Sequence, residues 1–191
     1  MRIIAGEARG RKIAAPSGTN TRPTLDRVRE NLFNMIQSRI SGCHVLDLFA
    51  GSGALGFEAL SRGAASAVLV DHERNANSVQ RANSSLLGFQ DRTRIILSDW
   101  AEALRILRNE GRKFDIVFLD PPYSCSFLPG VFASLVPLID PDSLIILEHE
   151  GKRRPDPPAG YACVRQRAWG YCGISIYRLL TPDDEKGEEQ P

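Results

Sequence analysis

Residues 45–56 read VLDLFAGSGALG, an apolar run that leads directly into a glycine-rich turn. The run is rich in Val, Leu and Phe, which is typical of a strand buried on both faces of a sheet. Gly51, Gly53 and Gly56 then form a G-x-G-x-x-G pattern. Glycines with this spacing permit a tight turn and the close approach of a nucleotide to the backbone at the start of a helix. The stretch therefore predicts a strand, a ligand-binding turn and a helix.

The same alternation continues along the chain. Short runs of Val, Ile, Leu and Phe predict strands at residues 45–49, 67–71, 94–98, 116–120 and 144–148. Helical spacing marks the segments between them, at residues 54–61, 75–87, 101–109 and 127–139. Two more strands, 161–169 and 173–180, follow without a helix between them and must pair as an antiparallel hairpin. The pattern predicts an α/β fold, a doubly wound and mostly parallel sheet with helices on both faces and the hairpin at one edge.

The first forty residues follow a different pattern. Residues 2–15 read as two short strands around a glycine-containing turn, and residues 16–23 read as a polar loop. Thr24 is the predicted N-cap of a helix. Apolar residues recur after it at helical spacing, at Leu25, Val28, Leu32, Ile36 and Ile40. The tail from residue 181 is acidic and is predicted to be disordered. The sequence thus divides into an extension at 1–40, a main domain at 41–180 and a tail at 181–191.

The composition is that of a soluble globular protein, with 42% hydrophobic and 25% charged residues. No apolar run approaches the ~18 residues of a membrane span, and the start of the chain does not resemble a signal peptide. We therefore expect a cytoplasmic protein. The four cysteines are scattered, without a C-x-x-C pair, so neither a disulfide framework nor a metal site is predicted.

The charges concentrate in two segments. Residues 1–40 carry eight Arg or Lys against three acids, and residues 151–180 carry six against one, so each segment has a net charge of +5. Two basic segments favour a polyanionic partner, although a solvated basic surface explains the charges equally well.

A carboxylate and the glycine turn together indicate a cofactor that contains adenosine. Asp71 follows Gly51 by 20 residues, where a carboxylate can accept hydrogen bonds from ribose hydroxyls; a turn needed only for packing is the alternative. Asp47 precedes the turn, and we expect its carboxylate to point into the cofactor space. An anion there disfavours the pyrophosphate of NAD and favours the sulfonium and ammonium groups of S-adenosylmethionine. The residues predicted to hold S-adenosylmethionine are Asp47, Phe49, Ala50, Gly51, Gly53 and Asp71.

Three further residues are expected at the same site. Asp99 follows the third predicted strand and could accept a hydrogen bond from the adenine amino group, with Trp100 beside the ring. An Asp at the start of a helix is as well explained as a capping residue. His72 is included among the cofactor residues by position alone, because it has no partner for catalysis and a structural role explains it too.

Asp120-Pro121-Pro122-Tyr123 follows the fourth predicted strand. Ligands of open α/β sheets bind outside the carboxyl ends of the strands, so this tetrapeptide and the glycine turn should face one crevice. The exocyclic amine of a base is a poor nucleophile, because its lone pair is delocalised into the ring. The Asp120 carboxylate and the Pro121 carbonyl, held by the stiff proline pair, can accept its N–H groups while Tyr123 stacks on the base. All four are predicted catalytic residues, and a proline-rich turn without chemistry is the alternative.

The glycine turn combined with this tetrapeptide resembles the class I amino-methyltransferases. The N-terminal stretches RIIAG (2–6), RGRK (9–12) and RPTLDRVRENLFN (22–34) are similar to those of the bacterial RsmD family, which makes N2-methylguanine in 16S rRNA. The similarity runs from residue 2 to about residue 180. It implies a Rossmann-like class I methyltransferase fold, with a seven-stranded sheet in which the last strand is antiparallel.

The resemblance also implies roles for individual residues. Asp71, or alternatively Glu73, would hold the ribose, Asp99 the adenine, and Asp120 with Tyr123 the target base. It places Asn31 near the cleft. The residues expected on the RNA side are Arg9, Arg11, Lys12, Arg22, Thr24, Arg27 and Arg29.

The leading hypothesis is a monomeric rRNA guanine-N2 methyltransferase that acts on 16S rRNA, within a 30S particle or an assembly intermediate. A DNA adenine-N6 methyltransferase would use the same tetrapeptide, but the chain has no separate domain to read duplex DNA. An NAD-dependent oxidoreductase and a non-catalytic RNA-binding factor are the remaining alternatives.

Overall fold

A seven-stranded sheet forms the centre of the molecule, in the order β3-β2-β1-β4-β5-β7-β6. The computed structural model describes residues 1–15, 23–122, 126–181 and 184, and only the backbone of 23–25. The strands are β1 (His44–Leu48), β2 (Ser66–Asp71), β3 (Thr93–Leu97), β4 (Ile116–Leu119), β5 (Leu144–Glu150), β6 (Tyr161–Trp169) and β7 (Cys172–Leu179). The helices are α1 (Pro23–Met35), α2 (Ala54–Ser61), α3 (Arg74–Leu87), α4 (Trp100–Asn109) and α5 (Leu128–Leu135). β1 to β5 are parallel, and β7 runs antiparallel to both β5 and β6, so the predicted fold class is confirmed.

Helices cover both faces of the sheet. Phe33 of α1, Phe57 of α2 and Leu87 of α3 belong to one apolar cluster, whereas Leu104 of α4 and Phe132 of α5 belong to the other. β1 and β4 are the central pair, and the strand order reverses between them. At such a reversal the connections leave towards opposite faces and open a crevice beyond the carboxyl ends of the strands. The fold therefore places a ligand site above β1 and β4.

The first helix differs from its prediction at both ends. α1 begins at Pro23, so Thr24 lies inside the helix and is not its N-cap, and it ends at Met35 before a short 3-10 turn at Gln37–Arg39. Proline is favoured in the first helical turn because that turn leaves its backbone N–H groups unpaired anyway. The predicted apolar stripe is confirmed by the burial of Val28, Leu32, Ile36 and Ile40.

Residues 1–15 do not form the two predicted strands. Arg2 and Lys12 make a single antiparallel bridge, and the backbone between them turns through Gly6 and Gly10, both with positive φ. The two arms of the segment are joined by backbone hydrogen bonds from Ile3 to Arg11 (3.0 Å) and from Ile13 to Met1 (3.1 Å), and the segment also lies on α2. An ideal Cβ at Gly6 would lie 1.7 Å from the carbonyl oxygen of Ser61, so the two backbones are in direct contact there.

A buried carboxylate fastens this segment to α2. The Glu58 side chain is fully buried and accepts hydrogen bonds from the amides of Ile4 (2.8 Å) and Ala5 (3.0 Å). It also pairs with Arg62 at 2.7 Å, and Arg29 of α1 lies 4.0 Å away. A buried charge is tolerated when its lone pairs are satisfied in this way. The extension thus shares its core with the main domain, and the proposed boundary at residue 40 stays a prediction.

β6 and β7 pair over their whole lengths, with a shift of register between Cys163 and Arg165. Most of the acidic tail, at 182–183 and 185–191, lies outside the described residues, so its disorder stays a prediction. Among the residues that the structure describes, no helix is both long enough and apolar enough to cross a membrane.

Candidate active site

The glycine turn joins β1 to α2 through backbone conformations that favour glycine. The φ angle is +53° at Gly51 and +80° at Gly53, and Phe49 also has a positive φ of +74°. A Cβ at Gly53 would lie 2.5 Å from the Phe57 ring, so a larger residue does not fit there. A Cβ at Gly51 would meet no atom within 4 Å, because its backbone borders open space. The turn therefore leaves its backbone open at Gly51, and the binding of a ligand there stays a prediction.

Asp71 stands at the end of β2 with its carboxylate fixed by two backbone amides. Its Oδ2 accepts from Gly51 at 2.8 Å, and its Oδ1 accepts from Glu73 at 2.9 Å. These bonds leave lone pairs on both oxygens for ribose hydroxyls. The Glu73 side chain is 69% exposed, and His72 Nε2 lies 3.2 Å from its Oε1. Of the two acids considered for the ribose, Asp71 is the one held rigidly beside the turn.

An aromatic cavity of about 320 Å³ opens beside Asp71. The ring of Phe127 lies 5.6 Å from that of Phe49 and 5.9 Å from that of Trp100, centroid to centroid, and is inclined by 22° to the indole. The lining residues are Leu48, Phe49, Val70, Asp71, His72, Ser98, Asp99, Trp100, Pro122 and Phe127. Apolar walls with a few polar groups suit a purine ring.

Phe127 was missed by the sequence reasoning. That reasoning placed it inside a helix spanning 127–139, whereas α5 begins at Leu128 and ends at Leu135, before a 3-10 turn at Val136–Leu138. Pro129, within the first turn of α5, is the signal that the helix starts there and that Phe127 precedes it.

Asp99 caps α4. Its Oδ1 accepts hydrogen bonds from the amides of Ala101 (2.9 Å) and Glu102 (3.1 Å). The capping alternative is therefore confirmed. Asp99 also lines the aromatic cavity, so a contact with adenine remains a prediction. Trp100, the first residue of α4, is positioned by this cap.

Asp47 does not point into the cleft, and that expectation was wrong. The residue is 1% exposed, and its Oδ2 accepts a hydrogen bond from the amide of Gly56 at 2.9 Å. The amide of the first turn of α2 thus draws the carboxylate beneath the glycine turn. Burial raises the pKa of Asp47 to about 7, against the opposing effect of the Gly56 hydrogen bond, and the charge of Asp71 adds to the rise. Asp47 supports the turn from below.

A second cavity, of about 410 Å³, brings the proline segment and the glycine turn together. Its lining residues are Phe49, Asp71, His72, Glu73, Asp120, Pro121 and Pro122. Four of them, Phe49, Asp71, His72 and Pro122, also line the aromatic cavity. The two cavities therefore form one cleft, which the proline segment shares with Phe49, at the start of the glycine turn, and with Asp71. Tyr123 lies outside the described residues.

Asp120 follows the end of β4, is exposed and lines this cleft. Protein atoms around its carboxyl raise the pKa of Asp120 well above its usual range, and the negative charges of Glu148 and Asp47 raise it further. A cation bound beside Asp120 would have the opposite effect.

A third cavity, of about 340 Å³, shares Pro121 and Pro122 with the second cavity, which contains Asp120 and is called the Asp120 cavity below. Its lining carries charges of both signs: Glu148, Glu150, Arg153, Arg154 and Asp156. The sequence reasoning assigned no role to Glu148. The rule that selected Asp120 would have found it, because Glu148 also stands near the carboxyl end of a strand beside β4.

The residues predicted to meet RNA phosphates divide into two groups. Arg29 is 6% exposed and donates to the Arg2 carbonyl and the Asp26 carboxylate, so its assignment to RNA was wrong. Residues 1–15 cover the helix face that would otherwise expose it. Arg11 is exposed but bonds the carbonyls that end α3.

Three of the other residues predicted to meet RNA, Arg9, Lys12 and Arg27, are exposed. Arg9 and Arg27 line a cavity of about 450 Å³ together with Arg2, and Lys12 lies close by in the chain. Arg22 and the side chain of Thr24 lie outside the described residues. Over the ranges that the structure describes, no group of His, Cys, Asp and Glu is arranged to hold a metal ion.

Comparison with known proteins places the chain in a family. The family model described as Conserved hypothetical protein 95 matches residues 1–178. Ribosomal RNA small subunit methyltransferase D of Escherichia coli (strain K12) is 36% identical over 185 residues, covering 93% of this chain and 89% of its own length. The protein of the same name from Haemophilus influenzae is 33% identical over 181 residues, covering 93% of each chain.

Solved structures have the same fold. The structure of yhhF from Escherichia coli matches with a TM-score of 0.80 at 36% identity, over 95% of this chain and 98% of that chain. SMU.776, solved in complex with S-adenosylhomocysteine, matches with a TM-score of 0.67 over 83% of this chain and 50% of that chain. At 16% identity this second likeness concerns the fold alone, which is that of the class I methyltransferases. The chain therefore belongs to the family described as Conserved hypothetical protein 95, the family of the RsmD methyltransferases.

Proposed function

We propose that the protein is an S-adenosylmethionine-dependent methyltransferase of small-subunit rRNA, and that it methylates the N2 amine of a guanine in 16S rRNA. The observation that carries the proposal is the single cleft bordered by the glycine turn, Asp71 and Asp120-Pro121-Pro122. The family relationship supports rRNA as the substrate class.

The cleft fits this cofactor. The aromatic cavity between Phe49, Trp100 and Phe127 suits adenine, and the rigid Asp71 carboxylate suits the ribose hydroxyls. The open backbone at Gly51 leaves room for the remainder of the molecule. When bound, S-adenosylmethionine supplies an electrophilic methyl group on a sulfonium, and carboxylates beside the cleft favour that positive charge.

The proline segment positions the amine. Each proline restricts the residue before it to extended backbone, so the Asp120 carboxylate and the Pro121 carbonyl are held as a fixed pair of acceptors. Two acceptors on the N–H groups orient the nitrogen lone pair towards the methyl group. Transfer of the methyl group to the nitrogen would break its bond to sulfur and leave S-adenosylhomocysteine, and the Asp120 carboxylate would accept the proton that the nitrogen loses.

The target guanine must leave its base pair or stack to enter the cleft, because a paired base cannot reach a site that is recessed in the protein surface. The basic residues of the extension supply phosphate contacts that orient the RNA without reading its sequence. Such a substrate places the enzyme in the bacterial cytoplasm.

The test uses the purified protein with labelled S-adenosylmethionine and 30S particles from a strain that lacks its own small-subunit guanine-N2 methyltransferase. We expect N2-methylguanosine in the nucleoside digest, at one mapped position, and no product from duplex DNA. Parallel reactions with naked 16S rRNA would identify the preferred form of the substrate. Formation of N6-methyladenosine, or labelling of DNA alone, would contradict the proposal.

A further inference from the structure

Glu148 lies on the strand next to Asp120, whose carboxylate and the Pro121 carbonyl form the proposed site for the target amine. β4 and β5 are parallel with Leu119 opposite Leu147, so the next residues along, Asp120 and Glu148, come side by side. Their carboxyls are close enough for the charge of Glu148 to act on Asp120. Glu148 lines the third cavity, which meets the Asp120 cavity along Pro121 and Pro122.

Glu148 has a neighbouring strand on its other side as well. β5 and β7 pair directly at Glu148 and Ile174, and the Cys172 thiol of β7 is close enough to Glu148 for the two groups to interact. The backbone that carries the Glu148 carboxylate is therefore fixed within the sheet on both sides. The cavity also carries Arg153 and Arg154, so it offers a carboxylate for the edge of a base and guanidinium groups for a phosphate. Its volume of about 340 Å³ lies in the usual range of ligand sites.

A carboxylate next to the amine site distinguishes between bases. In guanine, the ring nitrogen N1 beside the N2 amine carries a hydrogen and donates. In adenine and cytosine, the ring nitrogen beside the exocyclic amine is a bare acceptor. An ionised carboxylate can accept hydrogen bonds but cannot donate them. It therefore pairs with the N1–H of guanine, whereas in adenine and cytosine it would face the lone pair of the ring nitrogen. Flipped bases are read by such contacts to their Watson–Crick edges.

We propose that Glu148 is the specificity-determining residue for guanine, and that its carboxylate accepts the N1–H of the target base while Asp120 and the Pro121 carbonyl hold the N2 amine. The inference rests on the proposed function and adds the reason why a D-P-P-Y scaffold, which serves adenine equally well, would act on guanine here.

The experiment uses 30S particles reconstituted with 16S rRNA that carries guanine or 2-aminopurine at the mapped position. 2-Aminopurine keeps the 2-amine but has a bare N1. We expect the wild-type enzyme to prefer guanine in kcat/KM by ~100-fold or more, because a buried acceptor is left facing another acceptor. Glu148→Gln should narrow this preference by ~10-fold or more, because the glutamine amide can donate to the bare N1. Its affinity for S-adenosylmethionine should stay unchanged.

Glu150→Gln is the matched control, since Glu150 lines the same cavity and the same charge is removed. It should keep the wild-type preference. The inference is overturned if the wild type uses both bases equally, or if a folded Glu148→Gln enzyme retains the wild-type preference. Should that variant fail to fold, the wild-type comparison decides alone. A wild type that makes no N2-methylguanosine on guanine particles refutes the proposed function instead, so the two failures are distinct.

Discussion

Asp47 carries its carboxyl group where water does not reach, and this has a consequence for stability. Burial raises its pKa in the folded protein to about 7, whereas the unfolded value is about 4. A group whose pKa is raised by folding stabilises the fold at low pH, and the contribution is lost as the pH rises from about 4 through 7. At neutral pH and above, the ionised Asp47 therefore weakens the protein in its unliganded form.

Asp47→Asn should raise the melting temperature of the unliganded protein at pH 8 by about 5 °C, since it removes a buried charge. The amide oxygen can still accept the Gly56 hydrogen bond. Scanning calorimetry between pH 5 and 8 should show the advantage shrinking as the pH falls below 7. A difference from wild type that does not change with pH would contradict the assignment.

Asp120→Asn should lower kcat on 30S particles by about 10²–10³-fold, because the amide cannot accept the proton that leaves the amine. Affinity for S-adenosylmethionine should change by no more than about threefold, since Asp120 is assigned to the base rather than to the cofactor. Single-turnover kinetics and calorimetric titration separate these effects. A loss confined to cofactor affinity would remove Asp120 from its assigned role.

The raised pKa of Asp120 predicts proton release on cofactor binding. Burial, Glu148 and Asp47 favour the protonated carboxyl, and a neighbouring sulfonium lowers its pKa again. S-adenosylmethionine should therefore release more protons than S-adenosylhomocysteine, whose sulfur is uncharged. Titration calorimetry in buffers of different ionisation enthalpy measures this difference. Equal release by the two ligands would show that Asp120 does not sense the sulfonium.

At the scale of elements, Glu58 joins α2 to the N-terminal segment and to α1. Glu58→Gln leaves Arg29 and Arg62 without their buried partner, so we expect the free energy of unfolding to fall by about 3–5 kcal/mol. Hydrogen exchange at the amides of Ile4 and Ala5 should accelerate most.

Glu102→Gln is a control for this change, because Glu102 also pairs with an arginine on its own helix, Arg105, but on the exposed surface. Water and salt screen an exposed pair, so this variant should be nearly neutral. If both variants lost a similar amount of unfolding free energy, Glu58 would not be the residue that anchors the N-terminal segment.

The sequence predicted the elements of the main domain well, because the buried strands are continuous apolar runs and the turn after β1 follows from the spacing of its own glycines. Asp71 was predicted from its spacing to the glycine turn, and Asp120 from the rule that ligands meet the carboxyl ends of parallel strands. Contacts between distant segments were not predictable in this way. Residues 1–15 bond to α2, so the expected strand pair is reduced to a single antiparallel bridge and Arg29 is buried. The third cavity depends on the β5–β7 contact and on the loop after β5. No local sequence pattern predicts that these segments come together.

At the scale of the whole molecule, exposed basic side chains should govern RNA affinity. Arg9→Ala and Lys12→Ala should weaken binding to 16S rRNA and lower the salt dependence by ~1 unit per lost phosphate contact, with the melting temperature unchanged. Arg29→Ala should instead lower the melting temperature, because Arg29 is buried. Binding measured from low to high salt, with thermal melts of the same variants, separates the two groups. Equal melting losses in all three would contradict this division.

The position of β7 between β5 and β6 has a consequence for synthesis of the chain. β6 is made before β7 but lies outside it in the sheet, so it has no neighbour to join until β7 has been translated. A polypeptide that stops between Trp169 and Cys172 keeps the whole glycine turn, yet β5 is left with an open, apolar edge. We expect such fragments to aggregate or to be degraded by cellular proteases rather than to persist as partly active enzyme.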